Sequence, residues 1–474
     1  MKRLTLLPLA LALTLAGCVN LAPKYERPAA PVAGGFPTVE GTVNSGNPVA
    51  TDAPVNIAWQ RFFADARLQR LIDIALANNR DLRISILNIE QARAAYRIQR
   101  ADQLPTVNAA VTGNRVTTGR DQPINSQYQA GLAVSQFELD FFGRVRNLTQ
   151  SALAQYLATE EARKTAQISL VSQVATTYLA YLADEELLGL TQQTLKTREE
   201  SLRLTQLRFD NGVSSKLDLQ QAVSLVEQAR TTLAQAQRQR AQDLNLLTLL
   251  IGQPIPNDLP QGATLASTNL PDLPAGLPSD LLATRPDIRS AEQQLIAANA
   301  DIGAARANYF PRITLTGSAG SASTELSGLF KSGTFGWTFA PQALLPIFDY
   351  GRVRAGVDSA RAGRDIAVAQ YERAIQTAFR EVADALAGQA TYSEQLRAQQ
   401  AVATAEADRF NLSDLRYRNG TASYLDLLDA QRSLFTAQQQ AIEANLSRLQ
   451  NQVVLYRVLG GGWSEPAGPS TAAR

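Results

Sequence analysis

Histidine is absent from this 474-residue chain, and cysteine occurs once. Without histidine there is no imidazole general base, no Ser–His or Cys–His nucleophile pair, and none of the commonest metal ligand. No catalytic residue and no metal site is therefore assigned. The lone thiol, Cys18, can form no internal disulfide, so cysteine usage says little about redox compartment. After residue 17 no apolar run reaches the roughly eighteen residues that a membrane-spanning helix needs. The formal charge of +2 implies no nucleic-acid partner. No Walker-type phosphate loop is present, so any energy for work comes from another protein.

The first residues carry a secretion signal. Lys2 and Arg3 precede a short apolar run, Leu4 to Ala16, that fits the h-region of a signal peptide. The run ends in Leu15-Ala16-Gly17-Cys18, which resembles a bacterial lipobox. That resemblance implies cleavage before Cys18 and a covalent lipid on its thiol, with no other cofactor. Val19 in place of an aspartate resembles lipoproteins sorted to the outer membrane. The expected order is a signal peptide over 1–17 and a lipidated extended segment over 18–57.

The rest of the chain is written twice. Leu207-Arg208-Phe209-Asp210-Asn211-Gly212-Val213 returns 208 positions later as Leu415-Arg416-Tyr417-Arg418-Asn419-Gly420-Thr421. Gly143-Arg144-Val145-Arg146 returns as Gly351-Arg352-Val353-Arg354, Asp81-Leu82-Arg83 as Asp287-Ile288-Arg289, and Leu104-Pro105 as Phe310-Pro311. We read repeat 1 over 58–252, a linker over 253–279, repeat 2 over 280–460 and a flexible tail over 461–474. Each repeat reads as helix, β-hairpin, very long helix, turn, long helix. Asp81 to Gln103 lacks proline and glycine, and Pro105 stops it. Alternation of residue type then marks hairpins at about 105–140 and about 311–348. From Arg144 to Phe209 there is no proline and only Gly189 interrupts; as one helix this span would measure roughly 100 Å. Leu428, Phe435, Ile442, Leu449 and Tyr456 recur every seven residues, and Ala222, Ala229 and Ala236 form a small-residue stripe. Both patterns suit coiled packing of long helices.

Four amphipathic strands on a signal-bearing, lipidated chain suggest insertion in an outer membrane. A membrane sheet must close, and four strands cannot close a barrel. Two chains would give a plugged eight-stranded barrel and three a twelve-stranded one with a pore. On periodicity alone, a soluble coiled-coil protein with small hairpins remains open.

Two signatures break that tie. One is Tyr417-Arg418-Asn419-Gly420 followed by Ser423-Tyr424-Leu425-Asp426-Leu427-Leu428-Asp429-Ala430-Gln431. The other is Trp59-Gln60-Arg61-Phe62-Phe63 followed by Leu68, Leu71, Ile72, Ala75, Leu76, Asn78 and Asp81-Leu82. Both resemble TolC-like outer-membrane efflux proteins. Cys18 followed by Pro23-Lys24-Tyr25-Glu26-Arg27-Pro28 is similar to the lipoprotein branch that serves resistance-nodulation-division drug-efflux pumps. The resemblance implies a mainly α fold with membrane β: a homotrimer whose twelve-stranded β-barrel continues into a long periplasmic α-helical coiled-coil barrel. It also implies an equatorial belt built from the termini and the linker. The expected role is the outer-membrane channel of a tripartite system, exporting drugs or other small toxic molecules. Its partners would be a periplasmic adaptor (membrane fusion) protein, an inner-membrane pump and outer-membrane lipid. A type I protein-secretion duct and a pore-free envelope scaffold are the competing readings.

The resemblance also places the candidate site. Asp426 and Asp429 could be an acid/base pair or plain solvated carboxylates; no cleft motif accompanies them. The family points instead to carboxylate rings at a periplasmic constriction. Arg416 and Tyr417 match positions that hold the closed aperture, and Leu425 matches an apolar ring. The first repeat keeps Asp218 but has Gln221 where a second acid would stand, so the second repeat is the stronger gate candidate. Asn211, Gly212, Val213, Asn419, Gly420 and Thr421 are read as turns that tolerate positive φ and as the tips that dock the adaptor.

Overall fold

The structure is a computed structural model that describes residues 20–37, 57–117, 119, 123–273 and 278–463. The signal peptide, Cys18 and residues 464–474 of the tail lie outside the described residues. The helices are α1 (Trp59–Phe62), α2 (Ala66–Asn78), α3 (Arg80–Ala101), α4 (Arg144–Asp210), α5 (Lys216–Ile251), α6 (Pro278–Thr284), α7 (Pro286–Ala307), α8 (Arg352–Arg418) and α9 (Tyr424–Val458). The strands are β1 (Val107–Val116), β2 (Asn125–Glu138), β3 (Arg312–Ser323) and β4 (Phe335–Leu344). Helices α4 and α8 are both 67 residues long. Gly189 does not interrupt α4: one glycine costs about 1 kcal/mol of helix propensity, which the packing of a long helix outweighs.

Contacts divide the chain into two units. The first comprises the described residues of Met1–Ala30, Leu87–Glu161 and Arg289–Ala374. It holds one antiparallel sheet in the order β1-β2-β3-β4, so the two hairpins join through β2 and β3. The register sorts the side chains by chemistry. Val107, Ala109 and Val111 pair with Val134, Leu132 and Ala130, which pair onward with Gly317, Ala319 and Ser321, and these with Phe339, Trp337 and Phe335. Paired residues share a face, so this face is apolar and ends in three aromatics. The other face carries Asn108, Thr112, Asn114, Gln127, Gln129, Ser318 and Thr338. Among the described residues neither face is covered: Val111, Phe335 and Trp337 are more than 70% exposed, and Asn108, Thr112 and Gln129 are exposed on the other face. On the polar face Gly131 stands opposite Gly320, and a Cβ at Gly131 would lie 2.4 Å from the Ala319 carbonyl oxygen. Only glycine allows β2 and β3 this approach. No helix among the described residues is long and apolar enough to cross a membrane.

The N-terminal segment is strapped along α7 in this unit. Arg27 makes a two-pronged ion pair with the buried carboxylate of Glu292 at 2.7 and 2.8 Å, and the Tyr25 hydroxyl donates to the same group. One and two heptads along α7, Asn299 and Arg306 donate to the Pro23 and Leu21 carbonyls.

The second unit comprises the described residues of Pro31–Ile86, Ala162–Ile288 and Ile375–Arg474. Its core is aromatic where the tryptophan signature meets α9. Phe62 stacks on Tyr456 at 4.1 Å between ring centroids, and the Tyr456 hydroxyl donates to the Ile57 carbonyl. Asp65 caps α2 and also accepts from the Ala263 N–H of the linker at 2.8 Å. Asn445, Gln452 and Gln389 donate to the carbonyls of Leu265, Leu270 and Leu273, so the proline-rich linker is laced to this unit. The heptad positions Leu428, Phe435, Leu449 and Tyr456 are buried and Ile442 is partly so; Ala222, Ala229 and Ala236 are buried as well.

Candidate functional site

The site lies at the ends of two helical hairpins in the second unit. Each turn has one construction, made twice. The Gly212 N–H donates to Phe209 O and the Val213 N–H to Arg208 O; the Gly420 N–H donates to Tyr417 O and the Thr421 N–H to Arg416 O. Gly212 and Gly420 hold φ of +70° and +71°, with open space where a Cβ would sit, so conformation and not room calls for glycine. Asn211 and Asn419 fold their amides back onto the Leu207 and Leu415 carbonyls. Val213 stays 65% exposed.

Each following helix starts with a capping box. Ser215 Oγ accepts from the Asp218 N–H while Asp218 Oδ2 accepts from the Ser215 N–H; Ser423 and Asp426 repeat this. The two carboxylates read together in the sequence therefore have separate local tasks. Asp426 closes a cap, and the hydrogen bonds from Ser423 hold its carboxyl below the usual carboxylate range. Asp429 pairs with Arg409 of α8, which also reaches Glu406 at 3.1 Å. The first hairpin lacks both halves of that link, with Ser201 where the repeat places Arg409 and Gln221 where it places Asp429. Asp218 is equivalent to Asp426 as a cap, and has no counterpart to the Arg409–Asp429 bridge.

Behind the tips the hairpins share a core of Ala222, Leu225, Tyr417, Tyr424, Leu427 and Leu428, with Leu202 and Phe410 against it. Tyr417 is buried here, and the Arg208 guanidinium sits 4.8 Å above its ring. The Tyr424 hydroxyl bonds to Ser201 and Thr205 of α4, and burial raises its pKa. Arg416 is exposed, and so is Leu425, at 59%. Nothing in the sequence marks Arg208, Arg409 or Tyr424 for these contacts. Each acts across helices, which spacing along one helix does not reveal. Among the described residues no three His, Cys, Asp or Glu side chains gather as a metal site would require.

Further along the same coil, Asp184 of α4 faces Asp243 of α5. Burial, then the negative charge of Asp243, raises the Asp184 carboxyl to about 7. An acid with a raised folded pKa contributes stability that is complete below its unfolded value and is lost as pH rises through the folded one. The hairpin should therefore weaken between about pH 4 and pH 7. Asp184→Asn removes the titration. Thermal unfolding should show the variant more stable than wild type at pH 8 and equal to it at pH 4. Parallel curves at both pH values would refute the assignment.

The model of the family described as outer membrane efflux protein matches twice, over residues 71–253 and 277–461. The solvent efflux pump outer membrane protein SrpC of Pseudomonas putida is 50% identical over 467 residues, covering 97% of this chain and 98% of that one. A membrane protein of Pseudomonas aeruginosa, solved by crystallography, is 46% identical with a TM-score of 0.86 over 94% of this chain and 98% of its own. The open state of the MtrE outer membrane channel of Neisseria gonorrhoeae is 41% identical with a TM-score of 0.85 over the same shares. With both repeats matched by the family model and relatives alike from end to end, the chain belongs to the outer membrane efflux protein family.

Proposed function

We propose that this chain is the outer-membrane channel of a tripartite efflux system, a passive trimeric conduit for small toxic molecules. The observation that carries the reading is the two-faced sheet. Its apolar, aromatic face suits lipid and its polar face suits water, while β1 and β4 leave edges that a single chain does not pair. Three copies would supply twelve strands, enough for an open lumen where eight would fill with side chains. The inner-membrane pump, of the resistance-nodulation-division type, supplies the energy, and the adaptor docks on the Asn211–Val213 and Asn419–Thr421 tips. Cys18 carries the lipid. Arg416, Tyr417, Leu425, Asp426, Asp429 and, more weakly, Asp218 form the periplasmic gate.

Light scattering on the detergent-solubilised protein should give the mass of three chains, and planar bilayers should show discrete conductance steps. A stable dimer, or a trimer without conductance, would overturn the reading. Palmitate labelling tests the anchor separately: the label should be lost in Cys18→Ala.

A further inference from the structure

Among the described residues, Arg198 is a buried charged side chain near the tips with no ion-pair partner. Arg198 lies on α4, twelve residues before its end at Asp210, or about 18 Å back from the turn. It is 5% exposed. Its Nη1 donates to the Leu225 carbonyl of α5 at 3.1 Å, and the guanidinium carbon lies 5.3 Å from the ring centroid of Phe435 on α9. Its Nε, fully buried, has no partner. No acidic group among the described residues pairs with it; burial and the positive charge of Arg432 disfavour its charged form, and the Tyr424 hydroxyl group favours it in smaller measure. One turn back from Phe435 on α9, Gln431 is 8% exposed with an unpartnered Oε1. A buried cation against α9 and, one turn from Phe435 on that helix, a buried amide oxygen without a donor are each costly to keep from water.

The second repeat is built differently at this point. The position 208 residues on is Glu406, an acid ion-paired to Arg409. The internal copy satisfies its charge; Arg198 does not.

We infer that Arg198 is a gate-setting residue: its buried, unpaired guanidinium holds the packing of α9 against the α4–α5 hairpin close to its limit, so that separating them is easy. Any motion that parts α9 from α4 returns this group to water and releases its desolvation cost. The carbonyl of Leu225 and the face of Phe435 offset only part of that cost. The inference rests on the gate reading above and adds a residue that acts from inside the bundle, not from the aperture.

Single-channel recording and thermal unfolding of Arg198→Met and Arg198→Lys test it. Methionine keeps the bulk and removes the charge; lysine keeps the charge. Arg198→Met should lower the open fraction about tenfold, the change that about 1.4 kcal/mol of relative stabilisation produces. It should also raise the unfolding temperature, while Arg198→Lys stays near wild type. If Arg198→Met unfolds earlier and opens more, the arginine is a packing element and the inference fails. If it does not assemble, Arg198→Gln carries the same expected signs. The variant Leu425→Ala/Asp429→Ala, recorded in parallel, separates the two claims. Wild-type conductance there defeats the gate reading, whereas unfolding temperatures still decide the energetic claim for Arg198.

Discussion

Combining Leu425→Ala, Asp426→Asn and Asp429→Ala should raise single-channel conductance severalfold and abolish block by multivalent cations added on the periplasmic side. Two effects of opposite sign compete in this variant. Removing carboxylates from a narrow pore lowers the local concentration of permeant cations and so lowers conductance. If Leu425 forms the apolar ring of the proposed gate, truncating it widens that ring and lowers its dewetting barrier. Loss of Asp429 also frees Arg409, cutting a bridge between α8 and α9. The aperture terms should win, because an apolar ring limits conduction more steeply than the charge beside it. Asparagine is chosen at position 426 so that Ser423 keeps a capping partner and the start of α9 does not fray. The charge-only pair Asp426→Asn/Asp429→Asn should lose cation selectivity and block without the rise in conductance. Matched changes in the first repeat, Leu217→Ala with Asp218→Asn, should do less, since no ion pair is lost there. Wild-type conductance and block in the triple variant would place the constriction elsewhere.

Tyr456→Ala should destabilise the second unit by about 3–5 kcal/mol, the cost of emptying a large aromatic site in a packed core. The ring is 2% exposed, lies nearly parallel to Phe62 and meets Phe63 edge-on. Gly461 closes the far side so tightly that a Cβ there would come within 2.3 Å of the ring. Collapse cannot fill such a hole, because α1 and α9 hold its walls. Tyr456→Phe keeps the packing and loses the hydroxyl's bonds to Ile57 O and from the Gly462 N–H, so about 1–2 kcal/mol is expected. Native-state hydrogen exchange over α2 and the end of α9 reads both changes. A loss below about 1 kcal/mol in Tyr456→Ala would mean that the stacked pair is not central to this core.

The helices and strands were legible because their signals are local. The proline-free span from Arg144 to Phe209 set α4 to within a residue, alternation found all four strands, and Asn-Gly found both turns. The heptad seam named residues that are buried. The separate tasks of Asp426 and Asp429 were half legible. Ser423-x-x-Asp426 is a capping pattern, but the spacing of Asp426 and Asp429 on one helical face reads equally as a carboxylate pair. Arg409, twenty residues before Asp429 on another helix, was not legible, since nothing in one helix announces its partner in the next. Arg198 reads in sequence as one more solvated arginine, and only the fold shows what covers it. The pairing of β2 with β3 was likewise hidden, because its determinant is a glycine facing a glycine across more than 180 residues.

The open edges of the sheet have a consequence for the life of the chain before it functions. A single copy in the periplasm presents the bare N–H and C=O rows of β1 and β4 beside an uncovered aromatic face. Such a chain can complete its sheet only by meeting others, so the final folding step is of higher order in concentration, while wrong edge-to-edge pairing competes at every encounter. Yield should then depend on expression rate, falling when synthesis outruns the escorts that keep unassembled strands apart. Raising transcription alone should therefore return fewer assembled channels than raising it together with the capacity to shepherd unassembled strands.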